Sequence, residues 1–105
     1  MIPLYEYEHQ IYVDKNTELK KYTIQHALLD AQKTRRYAKF ICGKYYIAVT
    51  FNRDSTIQLS SNYRYDLSFN REINRLENVK YTLNMLTVFL YHWLNKFRKY
   101  QWRGV

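Results

Sequence analysis

LENVKYTLNMLTVFLYHWLNKFRKY, residues 76–100, decides how this chain is read. Within it Leu76, Val79, Leu83, Leu86, Leu90, Trp93, Phe97 and Tyr100 recur in steps of three and four. Only an α-helix gathers residues so spaced into one stripe, and a 3.5-residue period lets the stripe lie lengthwise against a sheet or another helix. The spacing predicts one long helix over residues 70–101, capped by Ser68 or Asn70 with Glu72 in its first turn, and a short tail over 102–105. Phe89 and Leu94 widen the seam, while Met85 and Val88 add a second apolar side. A sheet covers only one face of a helix, so the second side asks for a further cover. A homodimer meeting through Leu83, Leu86, Leu90, Trp93 and Phe97 is the expectation; cover by the first helix or the N-terminal strand of the same chain is the alternative.

Working outward, residues 1–69 read as a sheet with one helix inserted. Tyr5, Tyr7, His9, Ile11 and Val13 alternate with Glu6, Glu8, Gln10 and Tyr12, the pattern of a strand with one buried face and an acidic outer one. Thr17 or Thr23 can cap a helix that turns Leu19, Ile24, Ala27, Leu28 and Ala31 inward and ends between Lys33 and Arg36. Residues 37–42 and 45–52 are rich in β-branched and aromatic side chains. Gly43-Lys44 between them suits a two-residue hairpin with Gly at the first central position. Asn52-Arg53-Asp54-Ser55 has turn composition, after which residues 56–60 bury Ile57 and Leu59. Tyr63, Tyr65, Leu67 and Phe69 then alternate as a last strand. The expected fold is α+β in the order β-α-β-β-β-β-α: an antiparallel sheet of about five strands packed by one short helix and one long C-terminal helix. At 105 residues there is room for a single domain, 1–105.

Lysine and arginine outnumber acids 17 to 9, giving a net charge of +8. The excess is uneven: Glu6, Glu8, Asp14 and Glu18 crowd the first residues, whereas nothing acidic follows Glu77. A basic domain draws phosphate backbones, anionic lipid surfaces or acidic proteins. Cys42 is the only cysteine, which excludes an intrachain disulfide, and the first residues carry no signal-peptide pattern, so an intracellular, cytoplasmic setting is expected. Residues 81–97 are interrupted by Asn84, His92 and Asn95, and no membrane association is expected.

Two cation clusters are interleaved with aromatic residues: Lys33, Arg35, Arg36 and Lys39 at the corner after the first helix, and Lys96, Arg98, Lys99 and Arg103 at the C-terminal end. Lysine and arginine hold phosphates, and exposed rings give bases a platform; single-strand binders use both. Tyr46, Tyr63, Tyr65, Tyr100 and Trp102 are candidate platforms and Arg64 a further phosphate contact, although strand tyrosines also serve as half-buried core with the hydroxyl in water. Over roughly residues 37–97 an antiparallel sheet followed by a long dimerising helix resembles the arrangement of small dimeric single-strand-binding proteins. It is a likeness of arrangement that rests on no shared motif.

Metal and catalytic patterns are thin. His9, His26 and His92 share no ligand spacing with one another or with Cys42, so no metal or cofactor is expected. Glu18-Leu19-Lys20 downstream of Asp14 has the residue types of a metal-dependent nuclease but a tight spacing. The reading reached from the sequence is a non-catalytic, homodimeric binder of single-stranded DNA or RNA. Its alternatives are an interaction module of the viral or mobile-element inhibitor kind, docking on an acidic host protein, and a small nuclease using Asp14 and Glu18.

Overall fold

The computed structural model describes residues 9–13, 18–34, 37–80 and 83–103, with backbone alone for His9 and 101–103. Its elements are β1 (His9–Tyr12), α1 (Lys21–Thr34), β2 (Tyr37–Cys42), β3 (Tyr45–Phe51), β4 (Ile57–Ser61), α2 (Leu67–Leu76) and α3 (Leu83–Arg103). The class is α+β, with a four-stranded mixed sheet in the order β1-β2-β3-β4.

The hairpin forms where the sequence places it. Gly43 has φ 61°, the positive value a two-residue loop needs at its first central position, and Cys42 pairs with Tyr45 across it. The second turn closes through the Ser55 amide on the Asn52 carbonyl and the Asn52 amide on the Thr56 carbonyl. Asp54 accepts from the Thr56 hydroxyl and amide, and these bonds hold its carboxyl below the usual carboxylate range. Ala38, Phe40 and Cys42 of β2, Ile47, Val49 and Phe51 of β3, and Ile57, Leu59 and Ser61 of β4 are buried on one face. α1 buries Ile24, Ala27, Leu28 and Ala31 against them, as the spacing requires; Leu19 is partly buried beside that core. Thr23 lies inside α1 rather than at its cap, where the Lys20 carbonyl accepts from the Thr23 and Ile24 amides; Thr17 lies outside the described residues.

Three expectations change. β1 runs parallel to β2, with Ile11 opposite Phe40, because the intervening α1 carries the chain back to the end from which it started. The expected strand over residues 63–69 is instead a short extended segment followed by α2. Asp66, at φ −119° and ψ 121°, accepts from the Ser68 and Phe69 amides and starts a helix whose buried residues Phe69, Ile73 and Leu76 follow helical spacing. The long helix expected over 70–101 is two helices. Glu77, at φ −71° and ψ 138°, leaves helical geometry, Asn78 follows in the left-handed region at φ 62°, and the Asn78 amide donates to the Ile57 carbonyl at 2.7 Å, tying the break to β4. Asn tolerates this conformation and a β-branched residue does not. Asn78→Val is therefore expected to lower the urea midpoint by an amount worth about 1–2 kcal/mol, while Asn78→Gly leaves it nearly unchanged.

The break lets α2 cover the Phe89 side of α3, while Met85 and Val88, the second apolar side, stay exposed. Phe69 of α2 packs on Phe89 at 6.1 Å, Trp93 at 4.7 Å and Phe97 at 5.6 Å between ring centroids. Glu72 accepts a hydrogen bond from the Trp93 indole Nε1, so the largest fully buried side chain keeps a partner for its only donor. α1 packs along the other flank of α3, with Gln25 Nε2 donating to Asn84 Oδ1 at 2.9 Å. Leu86, Leu90, Trp93 and Phe97, read from the sequence as a subunit contact, are each 0% exposed within one chain, and Leu83 packs half-buried on the same core. They are core residues, and no second subunit is needed to bury them.

Candidate nucleic-acid interface

All three helices pack on one face of the sheet, so among the described residues nothing lies across the other. The strand registers define what that outer face carries. One row runs Tyr12, Ile41, Tyr46 across β1, β2 and β3; the next runs Gln10, Lys39, Ala48, Ser60; the third is Tyr37, Thr50, Gln58. With strands about 4.8 Å apart and residues about 3.3 Å apart along each, the face measures roughly 14 by 13 Å. It holds three tyrosines and one lysine and no carboxylate among the described residues.

Within this face Lys39 lies with Nζ 4.5 Å from the centroid of the Tyr46 ring, and both are half-buried. Tyr12, 65% exposed, stands two strands from Tyr46 in the same row and donates its hydroxyl to Gln10 Oε1 at 2.8 Å. The backbone of Tyr46 is held from both sides. Its amide donates to Asn62 Oδ1 at 2.9 Å and its carbonyl accepts from the Ser61 hydroxyl at 2.6 Å, while Asn62 Nδ2 donates to the Lys44 carbonyl at 2.5 Å. The ring is thus presented from a fixed stretch of strand rather than from a loop.

The other residues read from the sequence do not join this face as one site. Lys33 is exposed in the last turn of α1, and Arg64 is exposed in the segment between β4 and α2. Lys96 is half-buried on α3 with Nζ 4.5 Å from the Trp93 ring centroid, Arg98 is half-buried, and Lys99 is exposed. Arg35 and Arg36 lie outside the described residues, as do the side chains of Trp102 and Arg103. Of the two sequence clusters, Lys39 belongs to the sheet face, while Lys33, Lys96 and Lys99 belong to the helical side. Tyr12 and Tyr37 were missed as site residues. The signal for Tyr37 was present, since it alternates out of phase with Ala38, Phe40 and Cys42 and must therefore share the face of Lys39.

Tyr63 is no platform: it is 6% exposed at the centre of an aromatic cluster, 4.7 Å from Phe97, 5.1 Å from Tyr45 and stacked on half-buried Tyr100 at 5.9 Å. Burial, and then the Tyr100 hydroxyl, push its phenol from 10.0 up to about 12. Because the folded state disfavours the phenolate, this contribution to stability is complete below pH 10 and is lost as the pH rises through about 12. The urea midpoint is expected to fall across that window, and Tyr63→Phe is expected to flatten the fall. Tyr65, in contrast, is 80% exposed.

Among the described residues no group of three or more His, Cys, Asp or Glu side chains could hold a metal ion, and no helix is long and apolar enough to cross a membrane. Glu18 pairs with Lys20 at 3.2 Å on the surface, and Asp14 lies outside the described residues. Cys42 is buried on the inner sheet face. No family model, no curated protein and no solved structure matches this chain.

Proposed function

We propose that this protein binds single-stranded nucleic acid on the open face of its sheet, without catalysis. The observation that carries the reading is the sheet face that, among the described residues, is uncovered and carries no carboxylate, in which Lys39 lies over Tyr46 with Tyr12 and Tyr37 in the flanking rows. A duplex hides its bases, whereas a single strand can lay unstacked bases on exposed rings; open sheets with two or three aromatics serve this purpose because every base has a π-face. Lys39 is placed to meet a phosphate between two stacked bases. The net charge of +8 adds attraction at long range. A face of this size takes about two or three bases, so affinity is modest and sequence preference weak.

The test is fluorescence anisotropy of labelled single-stranded DNA, single-stranded RNA and duplex at two salt concentrations. Binding of single strands over duplex, weakening as salt rises, is the expected outcome. Equal binding of duplex would place the interaction in the general positive field and remove the stacking face from the account.

A further inference from the structure

The solvent side of α3 forms a second surface that the sheet face does not use. Met85, Val88, His92, Lys96 and Lys99 follow one another in steps of three and four, so they share one stripe about 21 Å long. Two concavities flank the stripe and share Val88 and His92. One, of about 570 Å³, lies between α2 and α3 and is lined chiefly by apolar atoms of Leu76, Met85, Val88 and Phe89. The other, of about 340 Å³, lies between the start of α1 and the C-terminal half of α3 and is lined by Lys21, Tyr91, Asn95, Lys96 and Lys99. The groove is chiefly apolar at one end, where Arg75 is its one cation, and cationic at the other. Met85 and Val88 are 51% and 54% exposed, and the sole carboxylate lining either concavity, Glu72, already accepts from Trp93.

We propose that this groove docks an acidic amphipathic helix of a partner protein. The partner would seat apolar side chains over Met85 and Val88 and carry carboxylates toward Lys21, Lys96 and Lys99. Charge complementarity selects this occupant. A second copy of the chain fits badly: with two α3 helices antiparallel, each protomer's Lys96 and Lys99 would lie on the other's Val88 and Met85, and with them parallel, lysine would face lysine. A nucleic acid would satisfy the lysines but leave the apolar end exposed. A stripe about four helical turns long, with a concavity on each flank, matches a helix better than it matches a flat bilayer.

The experiment uses the full chain and a labelled synthetic peptide of about 18 residues, with leucine at helical spacing on one face and glutamate elsewhere. Its counterpart has lysine for every glutamate. Phosphatidylserine vesicles, a single-stranded oligonucleotide and sedimentation of the protein alone complete the comparison. Of the two peptides only the acidic one is expected to bind, at micromolar concentration and weakened at least tenfold by Val88→Asp and by Lys21→Glu with Lys99→Glu; the exposed positions of all three leave the fold intact, and Lys39→Glu leaves peptide binding unchanged. The proposal is overturned if the acidic peptide does not bind, if its binding is indifferent to Val88→Asp, if the vesicles or the oligonucleotide bind in a manner abolished by those same substitutions, or if the protein sediments as a dimer that Val88→Asp dissociates.

Discussion

Trp93→Ala is expected to lower stability by about 3–5 kcal/mol, and Leu90→Glu to leave the chain unfolded. Trp93 is fully buried, lies 4.7 Å from Phe69 and donates its indole hydrogen to Glu72. Its removal takes away the largest piece of apolar surface in the core, opens a cavity and leaves the Glu72 carboxylate without that donor. A domain of this size has only about 5–15 kcal/mol in total, so the loss is about a fifth of the whole or more. Glutamate at Leu90 would place a charge where no water and no cation reaches. Urea unfolding followed by circular dichroism measures both. If the residues formed a subunit contact on an otherwise complete monomer, Leu90→Glu would give a folded monomer; a cooperative unfolding transition in that variant would refute the placement of α3 in the core.

Tyr46→Ala is expected to weaken single-strand binding by about 5- to 150-fold, the effect of losing one stacked base at roughly 1–3 kcal/mol. The ring projects from the outer face, so the core beneath is unaffected and thermal stability stays close to that of the parent. Lys39→Glu acts differently. It removes one phosphate contact, lowers the salt slope by about 0.7 and adds repulsion, so its effect is largest at low salt and fades as salt rises. Tyr46→Phe keeps the π-face and is expected to retain most of the affinity. Equal affinity of parent and Tyr46→Ala would remove the sheet face from the interaction.

Much of the fold was legible because short-range chemistry decided it. Gly43 fixed the hairpin, Asn52 to Ser55 the second turn, and the spacing of Ile24, Ala27, Leu28 and Ala31 the inward side of α1. Two features escaped because local pattern alone does not carry them. Alternation tells which side of a strand is buried but not which way the strand runs, and the parallel pairing of β1 with β2 follows from the crossover helix between them. Around residues 63–83 two readings of the same apolar residues compete. Tyr63, Tyr65, Leu67 and Phe69 alternate like a strand, yet Phe69, Ile73 and Leu76 also fit a helix, and the Asp66 cap favours the helix. Val79 continues the heptad on paper, but it is 44% exposed in the break beside Asn78.

The site was legible in fragments. Lys39 and Tyr46 were chosen as cation and ring, but their proximity depends on the β2–β3 register, and the openness of their face depends on all three helices taking the opposite side. The C-terminal lysines looked like part of one basic tract. Helical geometry instead sends Lys96 and Lys99 to the side of α3 away from the sheet, where Lys21 joins them from a distant part of the chain.

The most direct measurement is an amide chemical-shift titration of the isotope-labelled protein with a short single-stranded oligonucleotide. The account predicts shifts concentrated in residues 10–12, 37–41 and 46–50, with the α3 stripe from Met85 to Lys99 silent. Shifts confined to α3, or none at saturating oligonucleotide, would contradict it.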